Sequence, residues 1–213
     1  MNDIQRQVAG FLLQTRAVKL EPEHPFTWAS GWKSPVYCDN RLTLSHPPVR
    51  DYIKKAFRHR IEEHFAGIEL IAGVATGAIA QGALVADLME LPLVYVRSSA
   101  KEHGRKNLVE GELKPGMRTV VVEDLVSTGG SSLKAVSALR DTGAEVAGMV
   151  AIFSYGFPEA ARNFEEQGVQ LVTLTDYSAL VELARETGYI GEEQLELLKR
   201  WRKDPSSWTT QKS

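Results

Sequence analysis

Cysteine is almost absent from this chain: Cys38 is the only one among 213 residues. A disulfide within the chain is thereby excluded, and so is a zinc site built on cysteines. This fits a reducing, cytoplasmic setting. An excess of charge of one sign is lacking too. Lys plus Arg number 25 against 27 Asp plus Glu, a net charge of −2. Such a balance gives no electrostatic footing for nucleic acid or an anionic membrane, although a few local cations suffice for a small anion. No run approaches the ~20 apolar residues that span a bilayer. The opening Met1-Asn2-Asp3-Ile4-Gln5-Arg6 has no basic stretch leading into an apolar one, so no signal peptide is expected. Internal repeats and long low-complexity tracts are lacking as well.

What is present is the composition of a globular protein, with 43% hydrophobic and 24% charged residues. The length suits one α/β domain over residues 1–213. The polar tail 206–213 is expected to fray. Ile4, Val8, Phe11 and Leu12 recur at helical spacing, and Asn2 or Asp3 can cap that helix. Pro22, Pro25, Gly31 and Pro35 break up residues 20–44, leaving room for a short hairpin between Phe26-Thr27 and Val36-Tyr37-Cys38. Val49, Tyr52, Ile53, Ala56, Phe57, Ile61 and Phe65 mark an amphipathic helix with proline in its first turn.

From there, short apolar runs alternate with helical patterns. Strands are expected at 70–74, 93–96, 118–122, 146–153 and 169–174. Helices are expected at 79–89, 130–140, 158–167, 179–186 and 192–202. Continuously apolar strands alternating with helices predict a mostly parallel sheet covered on both faces. Ligands of such sheets bind beyond the carboxyl ends of the strands. Residues 98–112 are charged and without hydrophobic period, and read as a long loop of the kind that carries function.

The stretch Val120-Val121-Val122-Glu123-Asp124-Leu125-Val126-Ser127-Thr128-Gly129-Gly130-Ser131-Ser132 is the most informative. An apolar strand ends in two acids, a glycine- and hydroxyl-rich turn follows, and a helix begins. Glycines let backbone approach a phosphate, and the helix N-terminus points N–H groups at it. Thr128, Ser131 and Ser132 can add hydroxyl donors. The acids cannot favour phosphate, but they can accept hydrogen bonds from sugar hydroxyls or influence a nearby Mg²⁺. A Walker loop would need lysine after its last glycine, and a dinucleotide fingerprint would need G-x-G-x-x-G; neither is here. A plain capped strand-to-helix turn also accounts for the glycines and serines alone.

This stretch resembles the phosphoribosyl pyrophosphate (PRPP) signature of the type I phosphoribosyltransferases. Three more motifs occur in that family's order and are similar to its orotate phosphoribosyltransferase branch. They are Phe26-Thr27-Trp28-Ala29-Ser30-Gly31-Trp32-Lys33-Ser34-Pro35-Val36-Tyr37, Gly73-Val74-Ala75-Thr76-Gly77, and Val96-Arg97-Ser98-Ser99-Ala100-Lys101-Glu102-His103-Gly104. The resemblance implies the type I fold: a central, mostly parallel sheet flanked by helices, a small N-terminal hood drawing on residues 1–45, and a flexible catalytic loop. It implies transfer of ribose phosphate from PRPP to orotate with Mg²⁺, the metal being held mainly by PRPP and water. It also implies a homodimer that shares the flexible loop between subunits.

Carried over residue by residue, Glu123 and Asp124 would hold the ribose hydroxyls. Val126, Ser127, Thr128, Gly129, Gly130 and Ser131 would wrap the 5′-phosphate, and Leu125 would join them in binding PRPP. Ala75, Thr76 and Gly77 would lie along the pyrophosphate, with Arg97, Lys101 and His103 closing over it. Lys101, His103 and Asp124 would carry the catalysis. Ser127, Tyr37, Ser30, Gly31 and Tyr155 would meet the base. The chain departs from the commoner family pattern at Ala29 (often lysine), Ala75-Thr76 (often Tyr-Lys) and Ser98 (often lysine). Tyr155 stands near the position of the arginine that meets the orotate carboxylate in many members. Backbone N–H groups near Ser30, Gly31 and Tyr37, or the Lys33 side chain, are left as candidates for that carboxylate. His24, His46, His59 and His64 read as surface or turn residues, and Cys38 as a small hydrophobe. Two other readings share parts of the pattern: a PRPP-sensing module without catalysis, and a salvage transferase with the PRPP loop but not the 26–37 motif.

Overall fold

The computed structural model describes residues 1–28, 31–99, 108–205 and 208. Helix α1 (Asp3–Gln14) opens the chain. The Asn2 side chain accepts from the Gln5 N–H at 2.9 Å and the Gln5 side chain accepts from the Asn2 N–H at 3.0 Å, a reciprocal cap. Short strands β1 (Val18–Leu20), β2 (Phe26–Thr27), β3 (Lys33–Ser34) and β4 (Val36–Cys38) follow, then a 3₁₀ helix (Asn40–Ser45) and α2 (Pro47–His64). The expected hairpin forms with a different partner. β2 pairs with β3 (Thr27↔Lys33), whereas β4 pairs with β1 (Leu20↔Val36). A tight turn at Gly31, whose φ is 86° and whose N–H donates to the Trp28 carbonyl, closes β2 on β3 too early for β4 to reach it.

The remaining elements alternate. They are β5 (Leu70–Val74), α3 (Ile79–Met89), β6 (Leu93–Val96), β7 (Val109–Glu110), β8 (Arg118–Val126), α4 (Gly130–Asp141), β9 (Glu145–Ser154), α5 (Pro158–Glu166), β10 (Leu171–Asp176), α6 (Tyr177–Glu186) and α7 (Glu192–Lys203). The six-stranded sheet has the order β10-β9-β8-β5-β6-β7, parallel except at the short edge strand β7. Alternation along the strands divides the core. Ile71, Val120, Val122, Val150 and Ile152 face α1, α2, α3 and α6. Leu70, Ala72, Val74, Val121, Met149 and Ala151 face α4 and α5. Both faces are therefore apolar, as continuous hydrophobic strands require.

The expected boundary of one strand moves in a way that matters for the site. β8 does not stop at Val122 but stays paired with β9 through Glu123↔Ala151 to Val126↔Ser154. The two acids thus lie within the strand, with Leu125 and Val126 still paired beyond them, rather than in the loop. The long segment 98–112 is also less featureless than its composition implies, since Val109 pairs with Val96. Residues 100–107 lie outside the described residues, as does most of the tail 206–213.

An aromatic cluster ties the ends of the chain together. Trp201 of α7 is fully buried against Trp28, Tyr155, Phe157 and Tyr177, with ring centroids 5.6–5.8 Å apart. Its indole N–H donates to the Lys33 carbonyl at 3.2 Å. Trp201→Ala removes the ring and this bond, and should cost roughly 3–5 kcal/mol in urea unfolding. An unfolding midpoint equal to that of the unchanged chain would show the cluster to be peripheral.

Candidate functional site

The loops leaving the carboxyl ends of β5, β6 and β8 converge. The β5 loop carries Ala75, Thr76 and Gly77. Its backbone is tied to its neighbours by the Ala75 N–H on the Val96 carbonyl (2.8 Å) and the Ala78 N–H on the Val74 carbonyl (3.0 Å). The Ala75–Thr76 peptide is cis. The Asp124 carboxyl lies directly on the bare Cα of Gly77: a Cβ there would overlap Asp124 Oδ2 and Cγ. Gly77 and Asp124, assigned to one site by sequence, are in fact in contact.

The two acids face different ways. Glu123 is 4% exposed and turned inward. One of its carboxyl oxygens accepts from the Asp124 N–H at 3.0 Å and the other from the Ser132 hydroxyl at 2.9 Å. Burial, and then the neighbouring Asp124 charge, pushes the Glu123 carboxyl up to about 8. Asp124 is only partly buried, and burial also raises it, offset in part by its hydrogen bond from Glu123 and by the Arg41 guanidinium. The Asp124 charge thus disfavours ionisation of Glu123, as close carboxyls do. Asp124 is the less buried of the two. Ser132 is committed to Glu123, which removes it from the expected hydroxyl donors of the loop.

Beyond the acids, Val126 takes the Tyr155 N–H on its carbonyl at 3.1 Å, and Asn163 of α5 donates to the Thr128 carbonyl at 2.9 Å. Gly129 has φ 85°, and a Cβ there would sit 2.8 Å from the Phe164 ring, so both the turn and the packing demand glycine. Helix α4 then starts with no side-chain cap, and its first-turn N–H groups face the turn Ser127–Ser131. That is the arrangement that receives a phosphate. Gly130 and Ser131 border a cleft of about 570 Å³ that is lined mostly by α4 and α5 and also by Ala75, Arg97 and Ser98, but not by Asp124 or Gly77. Lys134, four positions into the helix from Gly130, lines the same cleft and was not singled out from the sequence. Its helical spacing from the loop was the available signal. The Arg97 guanidinium lies 3.5 Å from Glu110 of the edge strand.

The N-terminal segment supplies a second wall. Tyr37 is 41% exposed, its ring 5.4 Å from Phe26. Lys33 donates to the Thr27 hydroxyl at 2.7 Å across the β2–β3 pair. Asn40 reaches the acid pair itself by donating to the Asp124 carbonyl. Tyr155 does not fit its expected place. It is 2% exposed, stacked on Phe157 with 6° between the ring planes and packed on Trp28 at 5.0 Å. The aromatic cluster occupies the ring, which leaves no face for a base. Ser30, Lys101 and His103 lie outside the described residues. Among the described residues no three His, Cys, Asp or Glu side chains cluster as a metal cage, and no helix is long and apolar enough to cross a membrane. With Glu123 turned inward and both its oxygens engaged, Asp124 is the carboxyl of the pair left to meet a cation, which suits an ion whose other ligands come from substrate oxygens and water.

A pH dependence of stability follows. Glu123 holds its proton in the folded chain up to about 8, whereas the unfolded side chain loses it in the usual carboxylate range. The folded state therefore binds more protons between those limits, and stability falls as pH rises from about 5 to about 8. Glu123→Gln should flatten that slope in urea titrations taken across this range. An unchanged slope would place the proton elsewhere.

Comparison with known proteins agrees with this geometry. A family model described as a phosphoribosyl transferase domain matches residues 43–177. A Porphyromonas gingivalis protein named orotate phosphoribosyltransferase is 60% identical over 98% of this chain and 99% of its own length. A Bacteroides fragilis protein of the same name is 58% identical over the whole of both. Among solved structures, orotate phosphoribosyltransferase from Aeropyrum pernix superposes with a TM-score of 0.75 at 29% identity, over 86% of this chain and 99% of that one. The chain belongs to the phosphoribosyltransferase family and, within it, to the orotate phosphoribosyltransferases.

Proposed function

We propose that the chain transfers the 5-phosphoribosyl group of PRPP to N1 of orotate, giving orotidine 5′-monophosphate and pyrophosphate in pyrimidine biosynthesis. The observation that carries this reading is the contact of Asp124 with Gly77 beside the uncapped start of α4. It sets an acid for the sugar hydroxyls, a backbone loop for the diphosphate and an anion-binding helix end around one space.

In this reading the 5′-phosphate sits on the N–H groups of residues 126–131. Asp124 accepts from the ribose hydroxyls, with Glu123 behind it fixing its peptide. Ala75, Thr76 and Gly77 run along the diphosphate, and Arg97, Lys101 and His103 bring positive charge to it. The C1′–O bond to diphosphate breaks as the C1′–N1 bond to deprotonated orotate forms. Negative charge then grows on the leaving oxygens while the sugar turns cationic. Fixed cations serve the first and the Asp124 carboxylate tolerates the second. Mg²⁺, bound through diphosphate oxygens and water, would supply further charge neutralisation of the leaving group. Ser127 and Tyr37, with Ser30 and Gly31, flank the base, and Tyr155 supports that wall from behind. A homodimer sharing the loop around Lys101 and a cytoplasmic location complete the proposal.

An absorbance assay with orotate, PRPP and Mg²⁺ should show loss of orotate that requires both partners, while adenine and hypoxanthine are left untouched. Turnover of a purine instead would sink the assignment, and PRPP binding with no turnover would point to a sensing role. Lys101→Ala should lower kcat far more than it weakens PRPP binding, because its loop acts in the transition state. Equal losses in both would remove that role.

A further inference from the structure

Asn40 heads the 3₁₀ helix, is 1% exposed, and stands 84 positions before Asp124 in the sequence. Its Nδ2 donates to the Asp124 backbone carbonyl, and its Oδ1 accepts from the Cys38 thiol at 3.4 Å. These neighbours fix which way the amide points. Turned over, it would set oxygen against oxygen at Asp124 and lose the thiol as a donor. Burial first, and then the charges of Asp124 and Asp39, raise the Cys38 thiol well above its ordinary value, so it keeps the proton it donates. The Asn40 carbonyl is itself held by the Thr43 hydroxyl at 2.6 Å. Gln81, in the first turn of α3 just past the 75–77 loop, reaches that hydroxyl at 3.4 Å.

Asp124 is thereby held at three points. Its N–H is on Glu123, its carbonyl is on Asn40, and its carboxyl is against Gly77. Two of these come from the catalytic core and the third from the N-terminal segment. Loss of the Asn40 amide would leave a partly buried carbonyl without its donor and let the Asp124 peptide rotate, moving the carboxyl off its line.

We propose that Asn40 is a positioning residue for the transfer reaction: by donating to the Asp124 carbonyl, it sets the angle at which the Asp124 carboxyl meets the ribose. This rests on the reading of Asp124 as the ribose-binding acid. The competing account is that Asn40 merely fills space beneath the cleft. The two accounts part at an isosteric substitution. Asn40→Asp keeps the volume but turns an oxygen toward the Asp124 carbonyl, whereas Asn40→Ala leaves a gap.

The test is steady-state kinetics on the full chain, with thermal unfolding of each variant alongside. A misplacement of the carboxyl of about 1 Å should lower kcat/KM for PRPP by about ten- to a hundredfold in Asn40→Ala. Asn40→Asp should lose at least as much, and the KM for orotate should move by less than about twofold. Asn40→Ser, whose hydroxyl can donate, should regain part of the loss, and it stands in if the alanine variant does not fold. In an Asp124→Asn background, Asn40→Ala should add less than about twofold, because the group it positions is already gone. An Asn40→Asp variant as active as the unchanged chain would overturn the inference, as would an alanine penalty that is the same in both backgrounds. No orotate turnover by the unchanged chain would instead sink the reading of the site itself.

Discussion

The close seating of the Asp124 carboxyl on Gly77 is the constraint around which the site is arranged. It exists because β5 and β8 are adjacent parallel strands with Gly73 beside Val122, so the turn that follows Val74 comes level with Glu123 and Asp124 while β8 runs on to Val126. A side chain at position 77 would force the two loops apart. The neighbouring groups act to keep Asp124 there. The inward turn of Glu123 claims the Asp124 N–H, and Ser132 binds Glu123 to the first turn of α4, so the strand end and the helix start are one rigid corner. Such preorganisation is what a reaction that develops charge at a sugar carbon needs from its enzyme.

The electrostatic balance of this corner is unusual for an anion site. Two carboxyls lie at its centre, and among the described residues the nearby positive groups are few: Arg41, already bidentate with Asp39 at 2.7 and 2.9 Å, Arg97 beside Glu110, and Lys134 along α4. Holding Glu123 as its neutral acid reduces the repulsion that a phosphate would meet. Backbone N–H groups at the start of α4 carry no net charge and need no counterion, so they can receive an anion without altering that balance. The chain thus recognises a highly anionic substrate with a net charge of −2 overall.

How much of this was legible in sequence depends on the range of the interaction. The parallel sheet and its helices were readable because runs such as Leu70–Val74 and Leu93–Val96 are apolar throughout and are flanked by helical periodicity. The glycine-rich turn between β8 and α4 was readable because its residues are contiguous. The true end of β8 was not, since Glu123 and Asp124 interrupt an apolar run and read as its stop, although pairing with β9 carries them four residues further than Val122. The partner of Phe26-Thr27 was missed because strands of two residues have no period. Val109-Glu110 was missed for the same reason. The burial of Tyr155 depends on Trp28 and Trp201, far away on either side in sequence, and a motif position says nothing about that packing. The Asn40–Asp124 bond is likewise a product of the fold.

The bond from the Trp201 indole to the Lys33 carbonyl joins the last helix to the hairpin beside the candidate base wall. That pairing has a temporal consequence for a chain made from its N-terminus onward. The corner around Asp124 draws its partners from residues up to Phe164, but the hairpin at 26–34 lacks its aromatic anchor until residue 201 has left the ribosome. The nascent protein therefore has every partner of the Asp124 corner in hand before those of the N-terminal hairpin, which is anchored last.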